Sequence, residues 1–322
     1  MKFGILGCGN IVGTFMKAVD AVEEVSCIAV ASRELSRAEN FAKERNIPKA
    51  YGSYGELLAD DQVEAVYIAT PHSHHYEHMK LCIQAGKHIL CEKAFTVNGE
   101  QGKEILALAK EKKVFVLEGM WPRFFPMVSK IQDIIKSERL GKAKMLSVSK
   151  CYPIIDARER CYEPALAGGA VLDLGCYVLN FASMFFGDDV TSMKSVVSMT
   201  NTGVDLQEGI ILHYGDGKIA NLSCSMGCLQ PEIGIIACEK GYIKIPSAGR
   251  MERVEVYNEH HELLEELIAE PFENFQYEVA AMAKAVKAGK LECEEMSHQH
   301  TIFILEQMDA LRKEWGFALP CE

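Results

Sequence analysis

The stretch His88-Ile89-Leu90-Cys91-Glu92-Lys93-Ala94-Phe95 sets a charged pair, Glu92–Lys93, at the C-terminal end of a short apolar run. In an open α/β sheet that end of a strand is where ligands bind, so Lys93 is expected to face a site. A lysine held against apolar walls can shift a neighbour's pKa, or its own. An isolated Glu-Lys pair is most simply a surface ion pair. This pair shares its chain with Gly7-Cys8-Gly9-Asn10-Ile11-Val12-Gly13, a glycine loop between a strand pattern and a helix pattern. The glycines permit a tight turn and close approach of the backbone to a pyrophosphate, while N–H groups at the helix start bind the phosphates. Gly7, Cys8, Gly9, Asn10 and Ile11 are therefore candidate dinucleotide-binding residues. Val12 stands at the third position in place of Gly or Ala, with Gly13 one residue late. Loop and lysine together point to hydride chemistry.

Cofactor choice is read at the end of the second strand pattern, Ala31-Ser32-Arg33. An NAD site usually places Asp or Glu there to bond the ribose hydroxyls. Ser32 and Arg33 instead suit the 2′-phosphate of NADP, so NADP is favoured and NAD use stays open. The alternative for Arg33 is a solvated residue starting the next helix. Further on, His74-x-x-Glu77-His78 matches a zinc-protease string, but it follows a strand at Thr70-Pro71 where a dinucleotide should pass. No metal is expected; Pro71 and His72 read as cofactor-lining, and His75 and His78 as packing or capping residues.

A second candidate lies in Gly168-Gly169-Ala170-Val171-Leu172-Asp173-Leu174-Gly175-Cys176-Tyr177. Asp173 and Tyr177 are four apart and share a face of the expected helix. A phenol with a reference pKa near ~10 is a poor base at neutral pH. A nearby ammonium lowers it by about 1–3 units in a partly desolvated site, and Lys93 is the candidate donor of that charge. A core tyrosine is the plain alternative.

These residues need a scaffold, and the hydrophobic patterning supplies one. Strand signals at 2–6, 26–32, 64–70, 88–91 and 114–118 alternate with helix signals at 10–19, 34–45, 76–85 (closed by Gly86) and 98–112. Such alternation implies a parallel sheet wrapped by helices. After about residue 121 helices are expected over 127–137 and 171–186. A mostly β region then covers 190–267, with runs at 209–214, 218–225, 233–238 and 254–257, and helices at 275–288 and 297–315 close the chain. Strands without intervening helices favour an antiparallel sheet. The fold class is α/β: an N-terminal Rossmann domain, residues 1–120, and a C-terminal α+β domain with a large, mostly antiparallel open sheet, residues 121–322.

Composition agrees with a globular chain of two domains. Of 322 residues 48% are hydrophobic and 25% charged, and the net charge of −11 argues against nucleic-acid or anionic-membrane partners. Twelve cysteines show no CxxC pair, which points to a reducing cytoplasm. The chain enters a strand at Lys2, leaving no room for a signal peptide, and no apolar run is read as reaching the ~20 residues of a membrane helix.

The motif order resembles the Gfo/Idh/MocA oxidoreductases over essentially the whole chain: the N-terminal loop, Ala31-Ser32-Arg33, Thr70-Pro71 with His75, Glu92-Lys93, and Gly168-Gly169 through Tyr177. Trp121-Pro122-Arg123-Phe124-Phe125-Pro126 is most similar to the dimeric dihydrodiol dehydrogenase and NADP-dependent D-xylose dehydrogenase branch. The resemblance implies that Lys93 is the catalytic lysine and Tyr177 the acid/base. It implies that Thr70, Pro71, His72, His75, Glu92 and Lys93 belong to the cofactor site. Trp121, Arg123, Phe124, Asp173 and Tyr177 would contact the substrate. It also implies a homodimer or higher homo-oligomer formed through the C-terminal sheet. The substrate class stays open among a sugar, a polyol and a trans-dihydrodiol. A non-catalytic dinucleotide sensor of the same fold is the alternative. Ala94 replaces the family's usual proline, so a cis turn after Lys93 is not expected.

Overall fold

The computed structural model describes residues 1–154 and 159–322. Two compact units emerge, Met1–Phe124 with Phe272–Glu306, and Phe125–Pro271 with Gln307–Glu322.

In the first unit, short apolar runs form strands because both of their faces are covered. They are β1 (Lys2–Leu6), β2 (Ser26–Ala31), β3 (Lys49–Tyr51), β4 (Ala65–Ile68), β5 (His88–Glu92) and β6 (Val116–Gly119). All pair in parallel in the order β3-β2-β1-β4-β5-β6. The order reverses between β1 and β4, the place where open α/β sheets bind ligands. The crossovers carry α1 (Val12–Asp20), α2 (Leu35–Arg45), α3 (Tyr54–Leu58), α4 (His72–Gln84) and α5 (Gly99–Lys112). The Asn98 side chain caps α5 by accepting from Gln101 N at 2.9 Å. Gly86, at φ +70°, follows the C-cap of α4 as the sequence suggests. Helix α4 starts four residues earlier than expected from the patterning, because Pro71 provides an extended residue ahead of it and His72, His75 and His78 form its buried stripe.

The second unit opens with α6 (Pro126–Lys136) and β7 (Ala143–Cys151), followed by α7 (Glu159–Tyr162), a π-helical turn Val171–Gly175 and α8 (Cys176–Phe186). Then come β8 (Val190–Met199), β9 (Asp205–Tyr214), β10 (Ile219–Ser225), β11 (Gly234–Cys238), β12 (Gly241–Ile245), β13 (Arg253–Asn258) and β14 (Leu263–Ile268). The eight strands run β14-β13-β12-β11-β7-β10-β9-β8, and every pair is antiparallel except β7 with β10. Strand β7 was not foreseen; it sits at the centre of the sheet, yet its Lys, Ser and Met residues weaken the apolar signal. The stretch Pro164–Phe186 is long and apolar enough to span a membrane, correcting the reading that no run reaches that length. It is 83% buried inside the protein, because α8 is the core helix against this sheet.

The remaining helices are α9 (Gln276–Lys287) and α10 (His298–Trp315). A division at residue 120 assigns 272–306 to the second domain; these residues pack with the first unit instead. Helix α9 lays Val279, Met282 and Ala285 into that core against α1. Gly102 of α5 admits the start of α10, since a Cβ there would lie 2.7 Å from Leu305 Cδ1.

Candidate active site

The glycine loop turns at Gly7, whose φ of +99° disfavours any side chain; a Cβ there would also press on the Ala69 carbonyl at 3.0 Å. Gly7 N donates to Ala31 O at 3.1 Å, which ties the loop to the end of β2. The chain then enters α1 with Ile11 at the N-cap, no side-chain cap and no acidic residue in the first turn. A helix start with that composition suits an anionic ligand, so the loop fits a dinucleotide pyrophosphate. Val12 is fully buried as the first residue of α1, whereas a Cβ on Gly13 would meet nothing within 4 Å. The bulky third residue is thus accommodated by the core, and the late glycine is not required for space.

Ser32 at the end of β2 is buried and Arg33 is exposed. The neighbourhood is more basic than the sequence revealed. Arg37, one turn into α2, donates to Cys8 O at 3.4 Å. Burial raises the Tyr54 pKa, with Arg33 and Arg37 acting against it, and burial together with Arg33 lowers that of His74. Their helical phase relative to β2 brings these cations together, and no local motif announces it.

At the start of α4 the histidines take separate partners. Thr70 Oγ1 bonds His78 Nδ1 at 3.0 Å, and Ser73 Oγ bonds His74 Nδ1 at 2.8 Å. Burial, with the charges of His74, His75 and Arg33, pushes the His78 pKa down to about 4. His75 is completely buried; its Nδ1 lies 2.9 Å from Ala94 O and its Nε2 2.9 Å from Thr70 O.

Strand β5 delivers Glu92 and Lys93. Tyr67 donates to Glu92 Oε1, which makes Glu92 a structural partner of the neighbouring strand. Lys93 is half-buried, and the Lys93–Ala94 peptide is cis although no proline follows; the expectation that Ala94 removes this turn is therefore corrected. Behind this strand end lie two more buried carboxyls. Glu118 of β6 accepts from Phe95 N at 3.3 Å. Its pKa is pushed up to about 7 by burial, against the Thr301 hydrogen bond and the Arg123 charge. Glu278 of α9 is held well above the usual carboxylate range by burial and by Glu92, and neither of its oxygens has a hydrogen-bond partner among the described residues. Past β6, the Trp121 ring packs on Phe275 with centroids 5.7 Å apart. Arg123 Nε donates to Glu295 O at 2.7 Å, and Phe124 is buried.

The second unit holds Asp173 and Tyr177. Gly168 and Gly169 are needed where they stand: a Cβ on Gly168 would lie 2.6 Å from Cys161 O, and Gly169 has φ +118° with a Cβ position 2.2 Å from Asp205 Oδ1. The helix expected over 171–186 is present, but its first turn is π-wound. Asp173 pairs with Arg160 Nη2 at 3.0 Å and receives a weak Cys161 thiol contact at 3.9 Å. Lys150 Nζ stands 5.2 Å from the Tyr177 ring centroid and pairs with Glu232 at 2.5 Å. Neither Arg160 nor Lys150 was singled out by sequence; Lys150 belongs to the unforeseen β7. Lys93 belongs to the first unit, and Asp173 and Tyr177 belong to the second.

Comparison with known proteins bears on both units. A model described as oxidoreductase family, NAD-binding Rossmann fold, matches residues 1–120, and a GFO/IDH/MocA C-terminal domain model matches residues 128–244. The chain is 37% identical to the trans-1,2-dihydrobenzene-1,2-diol dehydrogenase of Xenopus laevis over 249 residues, 76% of this chain and 75% of that one. It is 33% identical to the enzyme of that name from Sus scrofa over 99% of this chain and 98% of the relative. Among solved structures, a 3-ketoreductase of Actinomadura kijaniata in complex with NADP and TDP-benzene superposes with a TM-score of 0.89 at 23% identity, covering 97% of each chain. An aldose-aldose oxidoreductase of Caulobacter crescentus gives 0.88 at 19% identity, over 97% of this chain and 96% of that one. At such identities these two structures speak to fold alone.

Proposed function

Since this chain belongs to the Gfo/Idh/MocA family of oxidoreductases, we propose that it is an NADP-preferring dehydrogenase of trans-dihydrodiols, with Lys93 and Tyr177 as its proton-handling pair. The observation that carries the reading is the placement of Lys93 at the C-terminal end of β5. That strand lies in a sheet whose switch point holds an uncapped, glycine-turned helix start. The substrate class rests on the 33–37% identity to dihydrodiol dehydrogenases.

The loop Gly7–Ile11 holds the pyrophosphate, and Ser32, Arg33 and Arg37 read the 2′-phosphate. Thr70, Pro71, His72 and Glu92 shape the path of the dinucleotide. When bound, the nicotinamide supplies the hydride acceptor. Lys93 keeps an ammonium beside the reacting hydroxyl and stabilises Tyr177 as the phenolate, which takes the hydroxyl proton and becomes the neutral phenol as the hydride leaves carbon. Asp173, fixed by Arg160, orients Tyr177 and the substrate, while Trp121, Arg123 and Phe124 give the pocket its aromatic wall and a cation. A homodimer forms through the open face of the second sheet, where Met145, Val196, Ile211 and Ile235 are exposed on one side. The enzyme works in the cytoplasm.

The test is absorbance at 340 nm with NADP⁺ and trans-1,2-dihydrobenzene-1,2-diol. Turnover is expected, falling by about 10²-fold or more in Tyr177→Phe and to background in Lys93→Met with NADPH binding intact. Intact dinucleotide binding without turnover on diols, polyols or sugars would favour the sensor reading instead.

A further inference from the structure

His75 presents an unusual arrangement for a fully buried imidazole: both ring nitrogens point at carbonyl oxygens, Nδ1 at Ala94 O and Nε2 at Thr70 O, each at 2.9 Å. A neutral imidazole carries one N–H and one bare lone pair. In either neutral tautomer one of these contacts sets a nitrogen lone pair against a carbonyl lone pair at hydrogen-bonding distance. Only the imidazolium donates to both. We propose that His75 is held as a buried imidazolium that straps the Thr70 carbonyl to the Ala94 carbonyl, and so acts as the positioning residue for Lys93.

Burial alone opposes this charge, because desolvation disfavours the protonated ring. Two charge-assisted bonds to carbonyl dipoles oppose the desolvation, and the neutral form retains one unsatisfied acceptor at the same place. The surrounding groups are arranged to tolerate the cation. On α4, His78 stays neutral, its pKa pushed down to about 4 by burial and by the charges beside it. The His72 ring meets His75 edge-on at 5.7 Å. Helix α5, packed against α4, gives its Glu104 to Tyr76. From the β4–α4 loop and the segment after β5, backbone carbonyls face the ring.

The strap has a consequence for the site. Thr70 closes the loop that follows β4, and Ala94 follows Lys93 directly, so one side chain fixes the lysine backbone to the cofactor-lining loop. That consequence rests on Lys93 being the proton-handling lysine; the charge on His75 does not.

The experiment uses the full-length protein labelled with ¹⁵N at histidine. Long-range ¹H–¹⁵N correlation at pH 8 reads the ring nitrogens, with the His75 signals assigned from the backbone. Both His75 nitrogens in the protonated range are expected while exposed histidines are neutral; one unprotonated His75 nitrogen overturns the proposal. For the strap's hold on the cofactor-lining loop at Thr70, His75→Leu is expected to weaken NADPH binding tenfold or more, read by fluorescence, and His75→Gln, which keeps an N–H donor, to recover part of the loss. Unchanged affinity in a folded His75→Leu protein overturns the strap. Should the leucine variant fail to fold, the ring-nitrogen signature still decides the charge. Neither readout needs turnover, so both stand apart from the fate of the dehydrogenase reading.

Discussion

Asp205, the first residue of β9, accepts the Val171 N–H at 2.5 Å and thereby pins the start of the π-turn and helix that present Asp173 and Tyr177. Asp205 is completely buried, and burial pushes its pKa up to about 6 even against its backbone hydrogen bonds and the Arg312 charge. Asp205→Ala should strand the Val171 N–H and destabilise the fold by roughly 1–3 kcal/mol, the range for an orphaned buried group. Asp205→Asn, which keeps an acceptor, should lose less. Urea unfolding midpoints of the two variants check the order.

The glycines that look alike in sequence should respond oppositely. Gly169→Ala places a methyl 2.2 Å from Asp205 Oδ1 at a φ of +118°. It should destabilise by about 2 kcal/mol or more, combining strain and clash. Gly13→Ala meets open space at a helical position of α1. It should raise stability by up to ~1 kcal/mol. Thermal unfolding of both variants tests the contrast.

Glu118 makes stability depend on pH. Its folded pKa of about 7 lies above the ordinary 4.5. The folded state therefore binds more protons than the unfolded chain between those values, and stability falls as pH rises from about 4.5 through 7. Glu118→Gln keeps an acceptor for Phe95 N and cannot ionise. Relative to wild type it should be more stable at pH 8 by at most ~3 kcal/mol and nearly equal at pH 5, one pKa unit being worth about 1.4 kcal/mol. Denaturant curves at the two pH values check this; an equal difference at both would contradict the assignment.

Cofactor preference should follow the cations around β2. Arg33→Ala and Arg37→Ala should each raise Kd for NADP about tenfold or more and leave Kd for NAD within about twofold, since one lost charge-assisted phosphate contact is worth about 1.5–3 kcal/mol. Titration calorimetry with both dinucleotides separates the effects. If Arg37→Ala changes neither, its hydrogen bond to Cys8 O is only structural.

Sequence alone determined the alternation of strands and helices in the first 120 residues apart from the short β3 and α3, which carry too few apolar residues to show a period, together with the glycine loop and Lys93 at a strand end. Those features are local: a buried parallel strand is a short apolar run, and a loop that approaches a phosphate needs glycine within a few residues. Tertiary structure decided what depends on residues far apart in the chain. Strand β7, polar on one face, was invisible until β10 and β11 flanked it, and with it went Lys150 over the Tyr177 ring. The return of 272–306 to the first unit, the Arg160–Asp173 pair and the Asp205–Val171 bond lie 13 to 34 residues apart or more and leave no periodic trace. His75 shows the division most plainly. Its identity was readable, but the two carbonyls that decide its charge are brought to it only when β4, α4 and the segment after β5 pack together.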